Sequence, residues 1–294
     1  MAFSKGTVST EGAQIKRYIG VASVCVKGIN PTVEELSAFY GREVTNLTEY
    51  VGTREVNGKQ VPQVRIDFLV QADPDKYEDI DLKQRVSFFL TRAPRVSSAG
   101  KTQVIDKYGR TAWATPEELK DHKIPVYSNG KAANLDSSYR VAYDGEEALI
   151  KFLIAYLNIP DPANYVNGEW VMKSAADLAD CEATLEHIED YFKGNIQELK
   201  EIIAYQPNNR VKVLFGVRTA EDGKQYQAVY TRSFMKNSSS SYNALTKDVT
   251  SAKANGAYPS TEFMVEDIKE YTVTPTEFKA PEADPFGGPA APWD

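Results

Sequence analysis

Cysteine and histidine are nearly missing from this chain: two of each occur among its 294 residues. Cys25 and Cys181 stand far apart and in no CxxC pair, which removes the disulfide framework of small secreted domains and points to a reducing compartment. His122 sits in ELKDHKIP and His187 in EATLEHIEDYF, so a zinc site would need four distant positions to converge. Also absent are a GxxxxGK[ST] loop, a GxGxxG after a strand and an HExxH pair, and with them go the common nucleotide-binding and zinc-protease classes. The acidic run Asp73, Asp75, Glu78, Asp79 and Asp81 lacks the glycine and terminal glutamate of a calcium loop and reads as a solvated connection. No catalytic centre, metal or cofactor is expected, and the chain reads as a non-enzyme.

Long apolar runs are missing too. The longest, Ala148 to Leu157, is broken by Lys151 and is too short to span a bilayer, and MAFSKGTVSTEGAQ carries no apolar stretch of a standard export signal. A soluble, cytosolic protein without membrane contact is the expectation. An excess of positive charge is likewise lacking: 34 Lys and Arg against 41 Asp and Glu give a net charge of -7, which excludes a protein that coats duplex DNA through bulk charge. Any nucleic-acid contact must come from a local basic groove.

What is present is enough to fold, since 42% of the residues are hydrophobic and 26% charged, far from the composition of disordered chains. Residues 1–14 are small and polar and read as a flexible arm, residues 15–274 as one body, and residues 275–294, with five prolines and no periodicity, as a disordered tail. Within the body, Arg17 to Lys27 predicts a first strand, and Thr32 with Glu35 predicts a capping box for a short helix closed by Gly41. The alternation of Gln63 to Gln71 and of Gln84 to Arg92 predicts an antiparallel hairpin with a long connection. Residues 93–143 read as long functional loops with a strand at Thr102–Ile105 and a short helix at Pro116–His122. Asp144 to Asn158 is an amphipathic helix with Asp144 as N-cap, and a second helical block over 174–204, split by Gly194, completes a helical insertion over about 144–206. A strand at Arg210–Thr219, the turn Glu221-Asp222-Gly223 and a strand at Lys224–Lys236 give the strongest hairpin signal; a helix at Ser241–Ala254 and a strand at about 263–273 follow. This order fits an α+β body built on an OB-like, partly open β-barrel interrupted between its third and fourth strands, with an open α+β sheet as the rival.

The outward positions of the strongest strands alternate cations with rings: Arg85 and Phe89, then Arg210, Lys212 and Arg218, then Lys224, Tyr226, Tyr230, Arg232, Phe234 and Lys236. Single-stranded nucleic acid asks for that mixture, cations for the phosphates and flat rings on which bases stack whatever their sequence. The loop KTQVIDKYGRTAW adds Lys107, Tyr108, Arg110 and Trp113 around Gly109, placed to fold over a bound strand. The same alternation also suits a core face of rings whose flanking Arg and Lys reach out to water. Both readings stay open on pattern alone.

The tail, with Asp284-Pro285-Phe286 and the ending Pro292-Trp293-Asp294, resembles that of bacterial single-stranded DNA-binding proteins, whose acidic tip with a Pro-Phe pair docks replication partners; here Asp294 takes the final place rather than an aromatic residue. The stretches INPTVEELSAFYGRE, VIDKYGRTAW, YFKGNIQELKEII and KVLFGVRTAEDGKQYQAVYTRSF resemble a conserved protein of crAss-like bacteriophages of gut Bacteroidales, over about residues 1–275. That resemblance implies a role in phage DNA replication or recombination by binding single-stranded DNA, in the cytoplasm of the infected bacterium. A homo-oligomer stays open, and a β-rich body with mobile ends also suits a second function class, a virion-associated structural or cargo protein of the phage.

Overall fold

Strand β1 (Gly20–Ile29) is hydrophobic on both faces because it lies inside the main sheet of the computed structural model, which describes residues 18–73, 82–159, 163–166, 169–172, 188–205 and 208–263. On one side β1 pairs antiparallel with β3 (Lys59–Ala72), which pairs in turn with β4 (Lys83–Pro94). On its other side β1 pairs with β11 (Val211–Thr219), which carries β12 (Gln225–Val229), β13 (Met235–Lys236) and β14 (Thr261–Phe263). The sheet order is β12-β11-β1-β3-β4-β8, with β8 (Tyr143–Asp144) at the far edge and β2 (Val51–Val56) folded back on the start of β3. The architecture is α+β with antiparallel sheets, and among the described residues no pairing joins β12 to β4 or β8, so the sheet is open. The predicted barrel is corrected to that extent.

The expected alternation sets the faces. Val24, Phe68, Phe88 and Phe215 turn to one side, where helix α3 (Glu146–Tyr156) lays Leu149, Phe152 and Leu153 on them; the Phe152 ring centre is 4.7 Å from that of Phe68 and 5.4 Å from that of Phe88. The short helix α4 (Ile188–Tyr191) and α5 (Gln197–Tyr205) complete this layer with Ile188, Tyr191 and Leu199. On the other face α6 (Asn243–Ala254) packs Leu245 and Val249 against Val21, Leu214 and Tyr230. Helix α1 (Val33–Tyr40) begins with the reciprocal Thr32–Glu35 capping box and ends at Gly41 in the left-handed conformation, as its sequence predicts.

Several expectations need correction. The N-cap of α3 is Gly145 at φ 89°, not Asp144, which is drawn into β8 beside Thr91. A Cβ on Gly145 would overlap the Phe89 carbonyl oxygen, so the backbone of α3 touches β4 directly. The insertion holds a two-stranded ribbon, β9 (Ala163–Val166) and β10 (Glu169–Met172), besides its helices. Residues 95–142 are not loops but a small module: β5 (Thr102–Ile105) pairs with β6 (Thr111–Ala114) and β7 (Arg140–Val141), helix α2 (Pro116–Lys120) follows, and Val104, Ala112, Ala114, Ala133 and Tyr139 form a core of their own. The arm at 1–14, the strand expected beyond Phe263 and the tail at 275–294 lie outside the described residues.

Two carboxylates join module to body. Glu147 accepts from Arg95 Nη1 and Gln103 Nε2, both at 2.7 Å, from Thr111 Oγ1 at 3.2 Å, and pairs with Lys151 Nζ at 2.8 Å. Burial pushes its carboxyl up, but Lys151, Gln103 and Arg95 outweigh it and hold it down at about 2. Glu146, fully buried, accepts from the Arg140 guanidinium and from the Tyr143 amide.

Candidate nucleic-acid interface

The hairpin β3–β4 sets Phe89 across from Arg65, and Arg85 across from Leu69, on the face away from α3. Phe89 is 51% exposed and is the one ring of the predicted strand set that stands out into solvent. Beneath it lies an ion triad: the buried Asp67 carboxylate faces Arg65 Nε at 3.3 Å and Arg85 Nε at 3.6 Å. Arg65 also donates from Nη2 to the Thr48 carbonyl at 2.9 Å and lies 5.0 Å from the centre of the Tyr50 ring, whose hydroxyl donates to the Pro31 carbonyl at 2.7 Å. Burial and the neighbouring Asp67 charge push the Tyr50 hydroxyl up to about 12, so it stays a neutral donor at any working pH.

The VIDKYGRTAW stretch is a tight hairpin rather than a loop free to close over a ligand. The Asp106 carboxylate accepts from the amides of Tyr108, Arg110 and Asp136 and from Arg110 Nε, all between 2.7 and 3.0 Å. Tyr108 is buried against Ile159, with Arg110 4.9 Å and Lys107 5.0 Å from its ring centre. Those constraints correct the reading of Tyr108 as a base platform. Trp113 fares differently: half-buried in β6 opposite Gln103, it carries the Arg95 guanidinium 5.6 Å from its ring centre.

The far end of the predicted trough is dismantled by a break in the chain's alternation. β12 ends at Val229 and pairing with β11 resumes only at Met235, so the period of two does not carry through Lys224 to Lys236. Tyr230 is 0% exposed on the α6 face, where its hydroxyl donates to Asp248 at 2.8 Å. Phe234 falls on the opposite face, 5.1 Å from Phe152 and 5.7 Å from Phe88 between ring centres. Lys212, 4% exposed, donates to the Ser239 carbonyl at 2.7 Å beneath the Tyr242 ring, because position 212 alternates onto the face that α6 closes. Arg210 donates to the Asn208 and Asn209 carbonyls and lies 3.8 Å from Asp73. Arg218 is exposed but stacked 5.5 Å from the half-buried Tyr226, and Arg232 is exposed past the end of β12. The structure therefore puts Arg85 and Phe89 on one face of β4, sets the buried Arg65 with its Tyr50 partner across from Phe89, and leaves the β11–β12 residues elsewhere. Asp284, Pro285, Phe286, Trp293 and Asp294 lie outside the described residues.

The alternation rule missed the module. Its residues 95–142 hold eight Lys and Arg against five Asp and Glu, a net charge of +3 in a chain whose total is -7. It also exposes Val96, Val126 and Tyr127, three of the five large apolar side chains that stand out from the described residues. A sequence signal for it exists. The turns Ser97–Lys101, Asp106–Arg110, Tyr127–Lys131 and Ala220–Lys224 are built alike: the first amide donates to the last carbonyl, a glycine at φ 75–76° comes fourth, and a cation follows it. Three of these four Gly-cation turns fall in the module.

Among the described residues no three His, Cys, Asp or Glu side chains gather as a metal site, and no helix is long and apolar enough to cross a membrane. Comparison with family models, with curated proteins and with solved structures finds no match to the chain.

Proposed function

We propose that this protein binds single-stranded DNA without sequence preference, in phage DNA replication or recombination, through the β3–β4 face around Phe89 and the adjoining basic module. The observation that carries the reading is the half-exposed Phe89 ring on the face of β4 that also carries the partly exposed Arg85: a flat apolar platform with a cation along the same strand, the combination that holds a stacked base and a phosphate, while the buried Arg65 and Asp67 brace the face from below. Strand order supports it. A β1-β3-β4 meander, then helices, then a β11–β12 hairpin added to the other edge of β1, is the order of an oligonucleotide-binding barrel without its closing pair. In that fold the face of the second and third strands takes the oligonucleotide, which on this reading is the β3–β4 face. The Arg95–Trp113 pair and Tyr127, with the turn cations Lys101 and Lys131, extend the same chemistry into the module.

In this proposal the site of action is the cytoplasm of the infected host, and the tail residues Asp284, Pro285, Phe286, Trp293 and Asp294 dock replication proteins. The test is fluorescence anisotropy of a labelled oligonucleotide of about 30 nucleotides, long enough for a single-strand site of this class. The expected result is saturable binding that tightens as salt falls and is indifferent to sequence. No binding by micromolar protein at low salt overturns it.

A further inference from the structure

A second surface lies along the edge of β1 at Lys27–Ile29, adjoining the β3–β4 face: Leu69, which lines it, is the cross-strand neighbour of Arg85, and Pro31, also in its lining, accepts from Tyr50. Strand β11 pairs with β1 only over Gly20–Val24, whereas β3 follows β1 through to Ile29. Over Cys25–Ile29, β1 therefore has a strand on one side only among the described residues; on the open side the Tyr156 hydroxyl meets the Val26 amide. A register shift between Val26 and Gly28 bulges the strand at Lys27. This open edge is the floor of a groove of about 610 Å³. Helix α1 walls it with Ala38 and Phe39, and α5 with Lys200, Ile203 and Ala204. Unpaired strand edges are templates for another strand, and native proteins usually blunt or cover them. Here the edge is recessed between two helices.

The charge at the rim selects the occupant. Lys27 and Lys200 stand exposed at the groove, and Lys83 Nζ lies 5.8 Å from the centre of the Phe39 ring. The one lining carboxylate, Glu35, is engaged in capping α1. Phe39, Leu69 and Ile203 offer apolar surface between the lysines. We propose that this groove receives an extended acidic segment of a partner protein, which adds as a strand to β1 at Lys27–Ile29, sets apolar side chains on Phe39 and Ile203, and places carboxylates beside Lys27 and Lys200. Main-chain hydrogen bonds supply the affinity and the alternate side chains the selectivity, as in other strand-addition sites. The inference stands on the unpaired edge of β1 and does not need the DNA-binding reading, although the two surfaces adjoin through Leu69 and Arg85.

The test uses the full chain and a fluorescein-labelled peptide, Glu-Ile-Thr-Val-Phe-Glu-Asp. Saturable binding is expected, together with loss of binding when the two central peptide amides are N-methylated, since methylation removes strand donors and leaves the side chains intact. The double charge reversal Lys27→Glu with Lys200→Glu is expected to weaken binding by roughly tenfold or more, and Ala38→Trp, at an exposed position on the groove wall, to block it. All three positions are exposed, and the N-methylated peptide tests the claim on the unaltered protein should a variant fail to fold. Equal affinity for the N-methylated peptide, indifference to the charge reversal, or no binding at millimolar peptide overturns the proposal. So does a zero-length crosslink from Lys27 or Lys200 to residues 264–294 of the same molecule, which would assign the groove to the chain's own terminus.

Discussion

The body and the small module at 95–142 reach order by different physics. The body stacks Phe68, Phe88, Phe152 and Phe234 between its sheet and α3, a core large enough to hold by apolar burial. The core of the module includes three alanines among its five buried members, too little surface to order a unit of that length alone. Carboxylates do the rest: Asp106 gathers three amides and a guanidinium, Glu118 takes the Thr115 and Val126 amides, and Glu147 ties the module to α3. A small region can thus be fixed by acceptors that each satisfy several donors, and its order then depends on their ionisation.

The sharpest way to break the comparison is in the body. Phe152→Ala should cost about 3–5 kcal/mol in chemical denaturation, at every pH from 4 to 8, because it leaves a cavity among rings that carry no charge. A pH-dependent loss would contradict the assignment of the body to apolar burial. The module answers to pH instead. The Glu147 carboxyl is held at about 2 against an ordinary 4.5, so its stabilisation is fully present above about pH 4.5 and is lost as pH falls towards 2. Glu147→Gln should therefore cost up to about 3 kcal/mol at pH 7. The gap to the unaltered protein should close on acidification between those values, followed by Trp fluorescence; a gap constant down to pH 2 would remove the ionised acceptor from the account.

Binding divides the regions again. Phe89→Ala in the body and Trp113→Ala in the module should each weaken oligonucleotide binding by about 1–3 kcal/mol, the worth of one stacked base. A loss confined to one of them would locate the interface in that region. The smallest effect is expected from Tyr230→Phe, which removes only the hydroxyl bonded to Asp248: about 1 kcal/mol of stability and no change in DNA affinity, with Lys123→Ala, a surface residue paired to Asp121, as the silent control. Weakened DNA binding in Tyr230→Phe would return that ring to the interface.

Much of the body was legible because its strands obey a period of two over long stretches. Val64, Ile66, Phe68 and Val70 face the core as their alternation predicts, as do Val86, Phe88 and Leu90 on the neighbouring strand. Local chemistry was as readable, as the Thr32–Glu35 box shows. The candidate site was harder to read. Periodicity says which residues share a face but not whether a helix will cover that face, and α6 covers Lys212 and Tyr230 while leaving Phe89 bare. It also assumes an unbroken strand, so the departure between Val229 and Met235 sent Tyr230 and Phe234 to opposite sides of the sheet. In the module the ordering groups are polar residues in turns, and a sequence rich in glycine, serine and asparagine looks the same whether its carboxylates are solvated or shared.

The contact at Gly145 makes a mechanical unit of parts that the chain keeps apart. With no room for even a methyl group between the start of α3 and the Phe89 carbonyl, the strand cannot slide without carrying the helix along. The next two positions grip Arg140 and Arg95. A push on β4 at Phe89 is thereby delivered through three consecutive residues to the module beside it, as by a short lever.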